Sequence, residues 1–434
     1  MSIISKLKWF YPGMKIKRYM IFLPVGLICV ILGTALFVNQ TYDYIIRSIG
    51  RFAFDIYGIN VGNKYQLFFL GCFFLVLGLL IIFIVMKQIL ESVVSAVSPG
   101  RTSDKSHIVD SVFKNRFLAS RPSVVVIGGG TGLSTMLRGL KQETSNITAI
   151  VTVSDDGGSS GRLKNEMGMM PPGDIRNCLI ALADVEKDME ELLQYRFENA
   201  NNGINGHSFG NLMIAAMTSV SGDFVSGIQK LSHILAVRGS VYPCSTIPIE
   251  LVATFEDDTT LTGETKIVES GKKIKKIELN NKNASPSSQV INAIRQANLI
   301  VFGPGSLYTS VIPNLLVKDI KNAVIKSKAK KVYVCNVMTQ PGETDGFNAY
   351  DHFSVIKKYL DNDNIDFCFV NNAKPDEKIL RIYSEKKQEY VEYDSKNFRN
   401  EKTKIIADDF MNKGDKARHN YEILAKRIIR LVIK

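Results

Sequence analysis

Four aliphatic residues, Val124–Ile127, run straight into Gly128-Gly129-Gly130-Thr131-Gly132, and Leu133–Leu140 then carries apolar residues at helical spacing. That order of strand, glycine loop and helix leaves few folds open. A strand without polar alternation is buried on both faces, as in parallel sheets covered by helices. Leu133, Met136, Leu137 and Leu140 fall on one helical face that covers such a strand. The pattern recurs. Ile147–Val153 is a second buried strand, ended by Ser154-Asp155-Asp156-Gly157-Gly158, and Leu299–Phe302, Val332–Cys335 and Phe367–Val370 read as further strands. Strands alternating with helices predict an α/β fold with a Rossmann-like, doubly wound, mainly parallel sheet. Ligands on such sheets bind beyond the carboxyl ends of the strands. Val252–Leu279, with Thr/Val-rich runs and turns, reads as an antiparallel excursion.

Upstream, two apolar stretches set a different solvent. Tyr19–Val38 carries no charge, and Leu67–Met86 ends at Lys87. Each has the length of a membrane span. The first is too long for a signal peptide and lacks a clear cleavage site. Lys6, Lys8, Lys15, Lys17 and Arg18 before the first span, and Lys87, Arg101 and Lys105 after the second, favour both ends inside. Residues 1–98 are therefore expected to be a membrane region with spans at about 19–38 and 67–86. Residues 99–121 read as a linker containing a helix over Asp110–Leu118, and 122–434 as a cytoplasmic domain at the cell membrane. The six cysteines form no CxxC pair, which fits a reducing compartment. The net charge of +12 is scattered along the chain, so nucleic acid is not an expected partner.

The candidate ligand residues follow the strand ends. Gly129, Gly130, Thr131 and Gly132 let backbone N–H groups approach an anion at a helix N-terminus. The dinucleotide fingerprint is incomplete, because Leu133 stands where a third glycine belongs. Asp155 and Asp156 can accept ribose or base hydrogen bonds, hold Mg²⁺, or cap the next helix. Arg176 and Asn177, at the start of a helix Cys178–Asp184, face the same crevice if the preceding loop folds back, and arginine suits bidentate phosphate contact; Asp174 reads as that helix's N-cap. Gly206-His207-Ser208-Phe209-Gly210 has the spacing of a hydrolase nucleophile elbow, but no strand precedes it. It is read instead as a loop before helix Leu212–Val220, with His207 and Asn211 as candidate contacts. A second strand–glycine–helix junction offers Gly303, Gly305, Ser306 and Thr309, and Asn336 opens a polar stretch after a third strand.

Taken together, Ile127–Gly132, Ala149–Arg162, Pro171–Asn177, Gly206–Asn211, Ala236–Gly239, Gly303–Leu316 and Tyr333–Gly346 resemble the YvcK/CofD-like family, in its YvcK or gluconeogenesis-factor branch. The resemblance runs from about Ser123 to the C-terminus and leaves the apolar N-terminal region outside. It implies a Rossmann-like domain that binds a UDP-sugar, notably UDP-N-acetylglucosamine, with roles in cell shape, peptidoglycan precursor supply and gluconeogenic growth. By position it adds Tyr383 and Arg418 as nucleotide-sugar contacts.

Two functions follow. One is a non-catalytic regulator that senses the nucleotide sugar at the membrane and acts on a cell-wall precursor enzyme. The other is a CofD-like transferase moving a phospholactyl-type group from a nucleotide diphosphate donor. A nicotinamide oxidoreductase is a third reading, weakened by the missing glycine. No residue is an obvious nucleophile with an adjacent base, so no catalytic residue is assigned. Homo-oligomerisation stays open.

Overall fold

The computed structural model describes residues 22–36, 64–97 and 117–433, apart from 185–186, 199–202, 363–364, 413 and 415–416. It divides into two compact units, Met1–Lys114 and Asn115–Lys434.

The first unit holds helices α1 (Phe22–Ala35) and α2 (Lys64–Val97), packed on each other. Their contact is made by glycines: a Cβ on Gly78 would lie 2.7 Å from the Gly26 carbonyl oxygen, and one on Gly33 would lie 2.8 Å from the Leu75 nitrogen. The large side chains point outward instead, with Phe73, Val76 and Phe83 more than half exposed. Small residues at the contact and bulky apolar ones outside suit a hydrocarbon solvent. Within α2, Phe68–Ile89 is long and apolar enough to cross a membrane. Of the first expected span, the described helix α1 covers 14 residues, where a crossing needs about 20. Tyr19–Ile21 and Phe37–Val38 lie outside the described residues, as does Asp110–Arg116 of the expected linker helix.

The second unit is built on β1 (Val124–Gly128), β2 (Ile147–Val151), β3 (Ser240–Pro243), β7 (Leu299–Phe302), β8 (Lys330–Val334), β9 (Phe367–Asn371) and β10 (Lys404–Asp408), in the order β10-β9-β8-β7-β1-β2-β3. Every pairing is parallel, with Val124 opposite both Ile147 and Leu299. The expected second strand stops two residues early, at Val151. The antiparallel excursion is a three-stranded sheet of β4 (Leu251–Phe255), β5 (Thr260–Thr262) and β6 (Ile274–Leu279).

The connecting helices are α3 (Gly130–Glu143), α4 (Gly158–Met167), α5 (Gly173–Leu182), α6 (Lys187–Gln194), α7 (Phe209–Ser221) and α8 (Phe224–Ile234). After them come α9 (Glu264–Glu269), α10 (Ser288–Gln296), α11 (Ile312–Leu316), α12 (Lys318–Lys326), α13 (Ala349–Tyr359), α14 (Glu377–Ser384) and α15 (Tyr421–Ile429). From β1 the chain builds outward through β2 to β3; from β7 it builds the other way through β8 and β9 to β10. Right-handed crossovers then send the two sets of helices to opposite faces. Accordingly α3 packs with α5 and α15, while α10 packs with α12. The strands β1 and β7 are buried throughout, as their unbroken apolar runs require.

The expected domain start near Arg121 falls too late. Leu118 is 2% exposed, its carbonyl accepts from the Ser145 N–H, and the Asn146 amide donates to the carbonyls of Ala119 and Arg121. A fragment 115–434 should therefore be soluble and cooperative, whereas 122–434 should melt several degrees lower, since losing a buried leucine costs about 2–5 kcal/mol. Thermal melts of the two fragments check this; equal melting temperatures would return the boundary to Arg121.

Candidate functional site

The direction of chain building reverses between β1 and β7. At such a point the loops leaving the two strands diverge and open a crevice. One loop is Gly129–Gly132 and the other is Gly303–Ser306. They touch: a Cβ on Gly132 would fall 2.5 Å from the Pro304 carbonyl oxygen, so no larger residue fits there without parting the loops. Gly130 has φ +65°, a conformation that a β-branched residue strongly resists. Helix α3 starts at Gly130, so its first amides have no carbonyl partner within the helix.

Over this crevice lies a cavity of about 450 Å³. Of the residues expected from sequence, it is lined by Gly129, Gly130, Thr131, Gly132, Gly305, Ser306, Asn336, Tyr383 and Arg418. Asn336 holds the second loop, accepting from the Gly305 N–H at 3.1 Å and donating to its carbonyl at 2.8 Å. The rest of the wall includes Thr135, Gln340, Lys386, Gln388 and His419, which sequence reasoning did not single out. Gln340 and His419 lie inside strings already read as polar loop or C-terminal contact. Nothing local marks Lys386 or Gln388, which reach the cavity only because the C-terminal chain returns over β8. Among the described residues the lining holds no carboxylate. His419 is pushed down to about 4 by burial, against a hydrogen bond to the Cys335 carbonyl. It is neutral at pH 7, which leaves Lys386 and Arg418 as the cations of the wall among the described residues.

The roof is a separate small assembly. Val337, Met338 and Ala417 are buried together, with Leu380, Tyr383 and Met411 packed on them. Helix α14 buries no residue fully. Its return strand is fixed by Thr339 N–H to the Glu389 carbonyl at 2.7 Å, and by Val391 N–H to the Val337 carbonyl at 3.0 Å.

The other expected residues do not line the cavity. Asp155 accepts from the Gly157 N–H at 2.9 Å. Asp156 accepts from the Thr265 N–H at 2.9 Å and its hydroxyl at 2.6 Å, capping α9. Among the described residues no group of three or more His, Cys, Asp or Glu could hold a metal ion, and these hydrogen bonds engage one oxygen of each carboxylate of the pair. Asp174 is not an N-cap. Helix α5 begins one residue earlier, at Gly173, and the Asp174 carboxylate accepts from the Gly130 N–H. Arg176 is turned toward α7. It donates to Asn211 Oδ1 at 3.1 Å, to Asn177 Oδ1 at 3.0 Å and to the Ser208 hydroxyl. His207 Nδ1 meets the Ser159 hydroxyl at 2.9 Å, and the Asn211 amide donates to that same hydroxyl. This serine–histidine pair, missed in the sequence, is buried and lies away from the cavity. Gly303 donates its N–H to Ile127. Thr309 gives its hydroxyl to Glu343 at 3.0 Å.

Matches to known proteins agree with this architecture. The model of the family described as 2-phospho-L-lactate transferase CofD matches residues 124–411. The gluconeogenesis factor of Bacillus subtilis is 45% identical over 316 residues, covering 73% of this chain and 99% of that protein. A relative from Clostridium acetobutylicum is 39% identical over 433 residues, covering 98% of this chain and 91% of its own, so the match extends through the apolar N-terminal region. A crystal structure of a Bacillus halodurans protein, 48% identical, superposes with a TM-score of 0.70, covering 71% of this chain and all of its own. That relative folds without a counterpart of the N-terminal unit. The chain belongs to the CofD/YvcK family of gluconeogenesis-factor and CofD-like proteins.

Behind the glycine loop, burial, with Asp155's like charge, lifts the Asp174 carboxyl to about 6, against the Gly130 hydrogen bond and Arg176, which lower it. A carboxyl raised on folding stabilises the protein fully below its ordinary range near 4, and that contribution is lost as pH rises through 6. Asp174→Asn keeps an acceptor for Gly130 and should raise the melting temperature at pH 8 more than at pH 5. A shift of equal size at both pH values, in thermal melts, would show that Asp174 is not a strained charge.

Proposed function

We propose that this protein binds UDP-N-acetylglucosamine in the cavity above the two glycine loops and acts as a regulator rather than a catalyst. The observation that carries this reading is the charge of the wall: among the described residues it holds two cations, Lys386 and Arg418, and no carboxylate, facing the α3 amides that follow Gly130. That set suits a diphosphate dianion, with the loop amides on one phosphate and the cations closing from the roof. The ring of Tyr383 offers a flat apolar face for a base or sugar. Among the described residues no lining hydroxyl is hydrogen-bonded to an imidazole, so the wall lacks the nucleophile–base pair of covalent catalysis. The transferase reading draws on the name of the matching family model; it needs a group to stabilise the transferred phosphorus centre, and Asp155, Asp156 and Arg176 are engaged elsewhere.

The names of the relatives support a place in gluconeogenic growth, and the ligand links that state to peptidoglycan precursor supply and cell shape. In this reading α1 and α2 form a two-span hairpin in the cell membrane, with the α/β domain in the cytoplasm near a cell-wall precursor enzyme.

The test is calorimetry of fragment 115–434 with UDP-N-acetylglucosamine, followed by mass spectrometry of the ligand after long incubation. The ligand should bind, raise the melting temperature and stay intact. Lys386→Ala and Arg418→Ala should each weaken binding roughly tenfold or more, the scale of a lost charge-assisted hydrogen bond. Binding unchanged in both variants would move the ligand out of this cavity, and release of UDP would promote the transferase.

A further inference from the structure

We infer that the amino-terminal edge of the parallel sheet is a docking surface for anionic phospholipid headgroups. The inference rests on the reading of α2 as a membrane anchor and extends it to the folded domain. A groove of about 570 Å³ lies between α10 and α12, on the edge opposite the nucleotide cavity. Its wall carries Arg295, Lys326 and Lys328, with Asp319 as the one acid. All three cations are exposed, and none has an ion pair among the described residues. Three further acids of the domain are matched by other lysines, while Asp319 has no ion pair among the described residues. Asp366 pairs with Lys330, Asp361 with Lys321 and Glu401 with Lys357.

The second observation is where the chain enters. The segment leading from α2 reaches the sheet at Ser123. There the Ser123 N–H donates to Asn298 Oδ1 at 2.9 Å, and the Asn298 N–H returns to the Ser123 carbonyl at 2.9 Å. Asn298 follows α10, and its carbonyl accepts from the Lys330 N–H at 3.0 Å. The point of entry and the cationic groove are therefore on one edge, joined through Asn298. A domain tethered at this edge brings Arg295, Lys326 and Lys328 to the leaflet, whose anionic surface attracts basic side chains within about a Debye length. The nucleotide cavity, at the other ends of the strands, then opens away from the lipid.

Arg295 and Lys326 sit in the last turns of α10 and α12, where a cation also offsets the helix dipole. The test must therefore separate a role in stability from a role in docking. Fragment 115–434, which has no hairpin and corresponds to a relative solved alone, is sedimented with vesicles of phosphatidylcholine or of phosphatidylcholine with one-quarter phosphatidylglycerol. It should sediment with the anionic vesicles only and be released by 0.5 M NaCl. The triple variant R295A/K326A/K328A should lose this binding by on the order of a hundredfold, with its affinity for UDP-N-acetylglucosamine unchanged and its melting temperature lowered by no more than a few degrees. No binding to anionic vesicles, equal binding to neutral ones, or a triple variant that still sediments would overturn the inference. Displacement by millimolar inorganic phosphate would also overturn it, by making the groove a site for a soluble anion. Alkaline extraction of the full chain from membranes reads the hairpin separately, so failure of the anchor and failure of the docking edge give different results.

Discussion

The site depends on one close approach, that of Gly132 to the Pro304 carbonyl. It brings the loops after β1 and β7 into contact at the place where the sheet reverses its order of construction. Any Cβ at Gly132 would meet backbone rather than a movable side-chain end, so the loops would have to separate. The burial of Val124–Ile127 between β2 and β7 fixes the start of the first loop, and the Asn336 amide fixes the second from β8. An anion site made of backbone amides is only as well placed as the backbone, and here three strands hold it.

Behind the loops sits an unusual layer of acid. Asp174 touches the α3 N-terminus, Glu264 accepts from the Ser154 hydroxyl at 2.9 Å, and Glu343 accepts from the amides of Tyr308 and Thr309. Burial raises all three, Glu343 to about 7. These groups organise backbone turns, while the described residues of the cavity wall carry no negative charge. The separation explains how a site for an anion coexists with carboxylates in the same domain.

The sheet was legible where burial erased alternation. β1, β2, β7 and β9 lie inside the sheet and read as apolar runs. β3 and β10 are its edges: Ser240–Pro243 is short and ends in proline, and Lys404–Asp408 has a charge at each end, so neither carries a strong strand signal. The glycine loops were legible because their chemistry is local. Asp155 and Asp156 were not, since strand-end position says nothing of the excursion that returns α9 to claim Asp156. Lys386 and Gln388 were hidden for the same reason, as was Arg176's turn toward α7. The membrane region was legible only as apolar length, which α2 satisfies and the described part of α1 does not.

The roof over the cavity rests on its own hydrophobic cluster, in which only Val337, Met338 and Ala417 are buried. So small a core contributes a small fraction of what the seven-stranded sheet contributes. The roof is therefore the less stable part of the domain, set above the glycine loops. A core of that size predicts that amide protons of residues 377–390 exchange through local opening while β1 and β7 stay protected. Access to the cavity would then depend on that segment rather than on how firmly the sheet beneath it is folded.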